Sequence, residues 1–254
     1  MISQTERHQF ILNKLTKESF VNVLELCKEL DVSSVTIRKD LKLLEDKNLL
    51  FRTHGGATIN NPYTVDRPVN EKEKLQSAEK MKIGSTGAQL INDNDSIIIA
   101  SGTTVLALAK NMPPKMNLTV ITASLQVAQE LIKHPDIEIM QLGGILRKSS
   151  SSVTGPYAQK ILTDFFCSKL FLGVDGIDLE FGLTTTSVTE AHLNRQMIEV
   201  SQKVIVLSDS TKFGKRGFGR ICGLEEIDQI ITDSGISEHY VTQLESRGIE
   251  VTIV

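Results

Sequence analysis

The pattern of apolar and polar positions divides the chain into two unlike parts. Up to about residue 57, apolar residues recur at helical spacing in three segments, and a short extended stretch follows. From about residue 77, short apolar runs rich in β-branched residues alternate with segments suited to helices. Seven of these runs predict strands, namely SIIIA (96–100), LTVIT (118–122), IEIMQL (137–142), KLFLGV (169–174), KVIVLS (203–208), DQIITD (228–233) and IEVTIV (249–254).

The alternation in the second part predicts a mainly parallel, buried sheet, because parallel strands need long crossover connections that are usually helical. The segment 59–76 has two prolines, many polar residues and few apolar ones, which is typical of a linker. We therefore predict an α/β protein with one domain at 1–58, a linker at 59–76 and a second domain at 77–254. Its second domain is expected to hold helices at 78–91, 104–111, 124–133, 187–201 and 237–247.

The first two predicted helices are amphipathic. Thr5 can cap the first helix, and the second spans roughly 21–29, ahead of a short polar break at 31–33. After the third helix, Gly55 and Gly56 can form the tight turn of a small hairpin. The residues expected to face the core are Phe10, Ile11 and Leu15 in the first helix and Val23, Leu24, Leu26 and Leu30 in the second.

The third predicted helix, residues 34–45, separates its charges from its apolar positions. On a helical wheel, Ile37, Leu41 and Leu44 form one apolar stripe. Either Ser33 or Ser34 can cap the N-terminus of this helix. The face opposite the stripe carries three cations and one small apolar residue, which are Val35, Arg38, Lys39 and Lys42.

Such a helix has the geometry that DNA recognition requires. Its N-terminal residues enter the major groove, where backbone amides meet phosphate and arginine or lysine addresses guanine edges, and Val35 or Thr36 can touch a thymine methyl group. An ordinary solvated amphipathic helix is the alternative. The preceding helix, the short break and the basic hairpin residues Arg52 and His54 favour DNA binding. Asp40 lies off the cationic face and is expected to pair with a neighbouring basic group or cap.

Bulk composition changes this picture little. The 254 residues carry a formal net charge of −3; residues 1–60 hold nine Lys or Arg and eight Asp or Glu, a net of +1, which leaves −4 for the remainder. A DNA-binding surface must therefore come from local arrangement. The absence of an apolar run near the roughly 20 residues of a membrane span, and of an apolar signal region, predicts a cytoplasmic protein. Widely spaced cysteines and scattered histidines predict free thiols, with no metal or cofactor site.

Several predicted strands end in small polar loops suited to an anionic ligand. In open α/β sheets the ligand lies outside the carboxyl ends of the strands, where glycines, hydroxyls and helix N-termini favour phosphate. Ordinary strand-to-helix turns are the alternative for each loop taken alone. The loop candidates are Ser101, Gly102, Thr103 and Thr104, then Thr122 and Ser124, then Gly143 and Gly144.

Five charged residues are further candidates for this site. Carboxylates beside a phosphate usually hold sugar hydroxyls, and we expect this of Asp175, Glu190 and Asp209; Lys212 can reach the phosphate. Arg195 is the fifth candidate. A helix-surface pair is the alternative for Glu190 and Arg195, and a turn or cap is the alternative for Asp209.

Residues 32–57, VSSVTIRKDLKLLEDKNLLFRTHGGA, closely resemble the winged helix-turn-helix signature of the DeoR family of bacterial transcription regulators. The resemblance implies an operator-binding domain. Matching positions place Ser34, Thr36, Arg38 and Lys39 in the groove or on phosphates, and Arg52 and His54 in the wing.

The second part also resembles this family over nearly all its length. SGTT, a T-x-S after the second strand, LGG, GVDGID, TEA and SDSTKFG occur in the family's order. The resemblance implies a sensor domain with a fold like ribose-5-phosphate isomerase and CoA-transferase-like proteins, and a phosphorylated sugar or sugar-derived inducer. Ala100, Ala123 and Asn194 stand where the family commonly has Asp, Asn and Lys, which removes three polar groups near the expected pocket.

These features together predict a repressor of a carbohydrate-metabolism operon. It would bind operator DNA as a dimer or tetramer and leave it when the phosphorylated sugar binds, with no membrane partner. One alternative is an isomerase-like or deaminating sugar-phosphate enzyme that uses Asp175 or Glu190 as general base, although an enzyme does not explain residues 1–58. Another is a ligand-free dimerisation module, which the three lost polar groups favour.

Overall fold

The protein is described by a computed structural model over residues 2–47, 49–53, 55–59 and 67–254. Its residues form two compact units, Met1–Val65 and Asp66–Val254. Within the described ranges, no helix combines the length and the apolar character that crossing a membrane requires.

The described residues of the first unit form three helices and three short strands. The helices are α1 (Gln4–Glu18), α2 (Val23–Leu30) and α3 (Ser34–Asp46), and the strands are β1 (Phe20–Asn22), β2 (Phe51–Thr53) and β3 (Gly56–Thr58). The strands pair antiparallel in the order β1-β3-β2. The predicted helices and hairpin are confirmed, and β1 is an addition that the sequence pattern did not indicate.

Local chemistry sets the ends of α1. Ser3, and not Thr5 as predicted, caps the helix, because Ser3 has Glu6 three residues later and the two form a reciprocal capping box. The Ser3 amide donates to Glu6 Oε2 at 2.8 Å, and the Glu6 amide donates to Ser3 Oγ at 3.3 Å. The helix ends at Glu18, and the following Ser19 takes a left-handed conformation with φ of 60°.

An apolar core joins the elements of the first unit. The stripe of Ile37, Leu41 and Leu44 is buried as predicted, which fixes the orientation of α3. Phe10 and Leu24 were expected in the core but are exposed, because they lie beside the buried stripes of α1 and α2 and not within them. The buried members from the other elements are Ile11, Leu15, Val21, Val23, Leu26, Leu30, Leu50 and Ala57.

The second unit is an α/β domain. Its helices within residues 67–254 are α4 (Val69–Lys74), α5 (Ser77–Ala88), α6 (Thr103–Lys110), α7 (Leu125–Leu131), α8 (Pro156–Leu162), α9 (Val188–Glu199) and α10 (Glu238–Glu245). Short 3-10 turns lie at Ser210–Lys212 and Leu224–Glu226. Its strands are β4 (Ser96–Ile99), β5 (Leu118–Thr122), β6 (Ile137–Gln141), β7 (Ile145–Arg147), β8 (Ser152–Thr154), β9 (Cys167–Leu172), β10 (Gly176–Asp178), β11 (Gly182–Thr185), β12 (Ser201–Leu207), β13 (Gly219–Cys222), β14 (Gln229–Thr232) and β15 (Glu250–Ile253).

A parallel sheet organises this domain. Across residues 67–254 its order is β15-β14-β12-β9-β4-β5-β6, and each neighbouring pair is parallel. All seven predicted strands lie in this sheet, so the predicted α/β fold class is confirmed. The β7-β8 pair and the three-stranded sheet β10-β11-β13 were not predicted. Both are antiparallel, and their strands of three or four residues are too short to show a periodic pattern.

The two faces of the sheet carry separate cores, because alternate residues of a strand point to opposite faces. Ile97 and Ile99 pack with α5, α6 and α7, whereas Ile98 packs with α8, α9 and α10. Both faces are covered, which explains why the seven strands read as nearly continuous apolar runs.

The connections create a switch point between β4 and β9. The chain proceeds from β4 outward through β5 to β6, then returns to β9 on the other side of β4 and proceeds outward to β15. Loops that leave the carboxyl ends of β4 and β9 therefore diverge, which is the usual place for a ligand in an open α/β sheet. On the amino side of this domain, α4 lies within the segment expected to be a linker, of which residues 60–66 are outside the described ranges.

Candidate DNA-binding surface and effector site

The N-terminus of α3 is exposed and capped. Ser33 Oγ accepts a hydrogen bond from the Thr36 amide at 3.2 Å, as expected of a helix cap. Val35 is 73% exposed, which leaves an apolar contact surface beside the first turn. Ser34 and Thr36 are half-buried, and Thr36 Oγ1 lies 3.0 Å from Ser33 Oγ.

Three cations extend this exposed surface. Arg38, Lys39 and Lys42 are exposed, as the helical wheel predicted. Across residues 2–47, 49–53 and 55–59, no carboxylate forms an ion pair with any of the three. Among these described residues their charges are therefore not neutralised by ion pairs, so they are available for phosphate or guanine edges.

Asp40 is held on the other side of the helix. It is 1% exposed, and Arg7 donates to both of its oxygens, with Nε at 2.7 Å and Nη2 at 3.1 Å. His8 Nε2 lies 3.1 Å from Asp40 Oδ1. Burial alone would raise the pKa of the Asp40 carboxyl, but the hydrogen bonds from Arg7 and His8 hold the pKa below its ordinary value. The prediction that Asp40 pairs with basic neighbours is confirmed.

The hairpin forms a small wing beside α3. Gly55 has φ of 83°, which suits the turn between β2 and β3, and His54 lies outside the described residues. Arg52 is exposed, and its guanidinium Nη1 is 3.7 Å from Glu45 Oε2, so it is partly compensated. A cleft of about 300 Å³ lies between helix and wing, lined by Val23, Arg38, Leu41, Arg52, Thr53, Gly55 and Gly56.

In the second unit, the loops after β4, β5 and β6 lie at the carboxyl edge of the sheet. Ser101 follows β4, and its hydroxyl donates to Glu190 Oε1 at 2.9 Å. Gly102 caps α6, and the helix begins with Thr103 and Thr104. The eight-residue helix thus directs its first amides toward the space beyond the sheet.

The next two loops serve mainly their own backbone. Thr122 Oγ1 accepts from the Ser124 amide at 3.1 Å in the turn before α7, and Ser124 Oγ accepts from the Val127 amide at 3.3 Å and caps that helix. A side chain at Gly144 would place its Cβ 2.6 Å from the Thr154 carbonyl oxygen, so this glycine permits close packing of the β7-β8 hairpin. Gly143 faces open space. Here the ordinary turn explanation accounts for Thr122, Ser124 and Gly144.

Glu190 and Asp175 come together at the switch point. Glu190, near the start of α9, is 8% exposed and forms an ion pair with Arg147. Burial raises the pKa of the Glu190 carboxyl above its ordinary value; the Arg147 charge opposes this shift, and the Asp175 charge adds to it. Thr185 Oγ1 lies 3.3 Å from Glu190 Oε2 and 3.1 Å from Asp175 Oδ2, between the two carboxylates.

Asp175 follows β9 and has a cationic partner. Lys72 Nζ donates to Asp175 Oδ1 at 2.8 Å, and the Thr186 amide donates to Oδ2 at 3.2 Å. Burial would raise the pKa of the Asp175 carboxyl, but the charges of Lys72 and Lys212 hold the pKa below its ordinary value. We refer to Ser101, Arg147, Asp175, Thr185 and Glu190 as the switch-point site, which Lys72 contacts from α4.

Asp209, Lys212 and Arg195 differ in their relation to this site. Asp209 is buried and caps a 3-10 turn by accepting from the Thr211 amide at 3.1 Å, so the cap explanation applies. Lys212 is close enough to act electrostatically on Asp175. Arg195 points elsewhere: it donates to the Ile221 carbonyl oxygen at 3.0 Å and lies 3.4 Å from Glu226. It neither joins the switch-point site nor pairs with Glu190, because five positions along a helix place them on different faces.

Sequence reasoning missed three cations near the switch-point site. Arg147 follows the LGG motif by three residues, a spacing that could have suggested it. Lys72 lies in the segment expected to be a linker, and the polar composition of that segment did not indicate that one of its lysines contacts a site. Lys80 on α5 is 5% exposed, and its ammonium donates to the carbonyl oxygens of Lys72 and Leu75, both at 2.6 Å. Burial lowers the pKa of Lys80 to about 8.

The three departures from the family pattern occupy buried positions. Ala100 and Ala123 lie in the core on the α8 and α9 face of the sheet. Asn194 is 3% exposed and follows Glu190 by one helical turn on the same face of α9. The methyl groups of Ala100 and Ala123 thus pack within the apolar core.

Two family models match the chain. They are the DeoR-like helix-turn-helix domain over residues 7–63 and the DeoR C terminal sensor domain over residues 75–234. The putative aga operon transcriptional repressor of Escherichia coli O157:H7 is 36% identical over 252 residues, which cover 98% of this chain and 94% of that protein. The HTH-type transcriptional repressor GlcR of Bacillus subtilis (strain 168) is 34% identical over 250 residues, which cover 98% and 96%.

Solved structures give weaker similarities. Ribose 5 phosphate isomerase A from Neisseria gonorrhoeae has 14% identity and a TM-score of 0.38 over 54% of this chain and 53% of that chain. The full-length sorbitol operon regulator SorC from Klebsiella pneumoniae has 11% identity and a TM-score of 0.41 over 100% and 97%. Both scores are too low to bear on function.

Sequence similarity over nearly the whole length settles the family. Both family models describe regulator domains, and the two relatives are named as transcriptional repressors, so the sugar-phosphate enzyme alternative is set aside. The chain belongs to the DeoR family of DNA-binding transcriptional regulators.

Proposed function

We propose that this regulator is a repressor that binds operator DNA through α3 and the wing, and that a phosphorylated sugar at the switch-point site releases it. The relatives named as repressors of an aga operon and as GlcR support a carbohydrate-metabolism operon as the target. We place its action in the cytoplasm, where bacterial operator DNA is found. In this proposal residues 1–58 bind DNA and residues 77–254 bind the effector.

The exposed, uncompensated cations of α3 carry the DNA-binding half of this proposal. Phosphate contacts supply salt-dependent affinity, whereas contacts to base edges supply specificity. Arg38 and Lys39, in the first turns, are suited to base edges, and Lys42 to the phosphate backbone. The remaining proposed contacts are Ser34, Val35 and Thr36 on the helix and Arg52 and His54 in the wing.

The effector half is supported by two carboxylates at the switch point of the sheet. Asp175 and Glu190 offer acceptors for sugar hydroxyls beside the N-terminus of α6, whose amides suit a phosphate. We assign the phosphate to Ser101, Gly102, Thr103, Thr104 and Lys212. Thr122, Ser124, Gly143, Gly144 and Asp209 would border this site, and Arg195 is left out because it is directed elsewhere.

A homo-oligomer is part of the proposed mechanism. Helix-turn-helix regulators commonly bind two half-sites with two-fold symmetry, so we propose a dimer or tetramer. The effector would stabilise an arrangement of sensor domains that binds the operator poorly. Linkage then requires that operator DNA weaken effector binding by the same factor.

A thermal-shift screen of the full-length protein tests the effector half. The probes are ribose 5-phosphate, glucose 6-phosphate and N-acetylgalactosamine 6-phosphate, with inorganic phosphate and the unphosphorylated sugars as controls. A ligand at 100 times its Kd adds about 2.7 kcal/mol to stability. Release of the protein from DNA is then measured with an operator fragment that has been selected from random DNA for binding. Stabilisation by sugar phosphates without any release of DNA would contradict the proposed mechanism.

A ligand-free dimerisation module is the second candidate. It is favoured by the internal pairing of both carboxylates, with Lys72 on Asp175 and Arg147 on Glu190, and by the apolar residues Ala100 and Ala123. No stabilisation by any sugar phosphate, together with intact operator binding, would support this candidate over the effector proposal.

A further inference from the structure

Helix α4 occupies a distinctive place in the chain. It lies between the two matched family segments, which end at residue 63 and begin again at residue 75. The same helix sends Lys72 into the switch-point site, where its ammonium is bound to Asp175 at 2.8 Å. A short helix outside both family models therefore contacts the proposed effector site directly.

The contacts of α4 differ in kind. At its start the Val69 amide donates to the Ser149 carbonyl oxygen at 2.6 Å, and along its length Lys110 donates to Glu73 at 2.7 Å. At its end the buried Lys80 ammonium holds the carbonyl oxygens of Lys72 and Leu75. Among these contacts, the bond from Lys72 to Asp175 is the one that involves a carboxylate proposed to bind the effector.

The two oxygens of Asp175 are used unequally. Oδ2 already accepts from Thr185 Oγ1 and from the Thr186 amide, whereas Oδ1 accepts from Lys72. A sugar hydroxyl that reaches Asp175 must therefore bind Oδ1 beside the Lys72 ammonium, because a carboxylate oxygen offers about two acceptor positions and both positions of Oδ2 are used. There the hydroxyl shares the negative charge of Oδ1 with Lys72 and weakens the ion pair. An anionic group on the same ligand attracts the Lys72 ammonium away from Asp175 as well.

We propose that the Lys72–Asp175 ion pair is the latch that couples effector binding to operator release, and that a polyhydroxylated, anionic effector opens it. This inference rests on the proposed function of the switch-point site. With the latch closed, α4 is fixed to the sensor domain at the point where the chain leaves for the DNA-binding unit. Effector binding frees Lys72, so α4 loses that anchor while Lys80 still holds its last turn.

The test compares Lys72→Met with Lys74→Met in the full-length protein. Lys74 is exposed on the same helix, so its variant controls for charge and helix propensity. Two quantities are measured with the three sugar phosphates named above. The first is the release ratio, which is the operator Kd with effector divided by the operator Kd without it, and the second is the effector Kd from thermal shifts. Hydrogen exchange of the α4 amides supplies a readout independent of DNA.

The wild type and Lys74→Met should show a release ratio on the order of 5–150, as is typical of allosteric coupling. In Lys72→Met the ratio should fall to within about threefold of one, because the latch is open in both states. Effector binding should persist, and the α4 amides should exchange at the effector-bound rate even without effector.

Three outcomes would overturn the inference. A full release ratio in Lys72→Met would show that the latch carries no coupling. Loss of effector binding in that variant would make Lys72 a ligand contact in place of a latch. A wild type that no sugar phosphate binds would overturn the proposed effector function and the latch together, whereas the first two outcomes leave that function intact.

Discussion

Cations are arranged in opposite ways on α3 and at the switch-point site. On α3, Arg38, Lys39 and Lys42 are exposed, and within the described part of the first unit no carboxylate pairs with them. At the switch-point site, Lys72 and Arg147 are each bound to a carboxylate. Uncompensated surface charge costs little in water and stays available for a polyanion, whereas a charge inside a domain needs a partner. The same residue types therefore suit the proposed DNA contact on α3 and support internal order at the switch-point site.

Removing a paired cation should have the largest effect. Arg147→Met leaves the Glu190 carboxylate buried without its ion-pair partner and is expected to lower the free energy of unfolding by roughly 3–5 kcal/mol. Urea unfolding measures this. The matched control is Lys133→Met, which removes the exposed pair with Glu130 and should cost less than about 1 kcal/mol.

The variant Arg147→Met/Glu190→Gln separates charge from packing. It removes the buried charge together with its partner, so most of the stability should return. Equal losses in the single and double variants would mean that Arg147 stabilises the domain by packing alone.

Asp40→Asn should come next, because Asp40 is the buried carboxylate that orders the first unit. Its hydrogen bonds from Arg7 and His8 involve charge, so the variant is expected to lose about 1.5–3 kcal/mol of stability. Asp46→Asn, on an exposed position of the same helix, is the control and should be nearly neutral. A stability of Asp40→Asn equal to that of the control would show that the Arg7 and His8 contacts do not hold α3 in place.

Removing an unpaired cation should leave stability unchanged. Arg38→Ala is expected to weaken binding to a selected operator by about 1–3 kcal/mol, the usual value of a bidentate contact to guanine. Its stability should stay within about 0.5 kcal/mol of wild type, as for other exposed substitutions. Lys17→Ala, an exposed lysine of α1, is the control for general charge loss. Equal weakening of operator binding in both variants would refute a specific role for Arg38.

The smallest predicted effect concerns pH. The folded pKa of Lys80, about 8, lies below the ordinary 10.5, so the unfolded chain holds more protons between these values and stability rises with pH. The rise should be on the order of 1 kcal/mol between pH 8 and 9 and absent in Lys80→Met. Above pH 9 the buried thiols make the stability fall as pH rises, because burial raises the pKa of Cys167 to about 11 and of Cys222 to about 12. A pH-independent difference between wild type and Lys80→Met would contradict the burial of a charged ammonium.

The parallel sheet could be predicted because burial on both faces makes its strands long apolar runs. The stripe of Ile37, Leu41 and Leu44 could be predicted for a similar reason, since helical spacing alone fixes which side is buried. The short strands β7, β8, β10, β11 and β13 could not, because three or four residues show no period and their pairing depends on distant partners.

The switch-point site was only partly accessible from the sequence. Asp175 and Glu190 stand in recognisable motifs at predicted element ends, so they could be named. Lys72 and Asp175 are 103 positions apart, and their contact is set by packing that no local pattern records. Thr122 and Ser124 also show why a motif is ambiguous, because a hydroxyl that bonds its own backbone and a hydroxyl that binds a ligand have the same local sequence.

The position of α4 has a consequence for building chimeric regulators. A fusion that exchanged DNA-binding heads at residue 76, the end of the apparent linker, would bring a foreign helix in place of α4 and discard Lys72. A fusion joined at residue 65 would keep the whole second unit, including Lys72 and its ion pair with Asp175. Under the proposed latch mechanism, the position of the junction decides whether a hybrid of two such proteins responds to its effector.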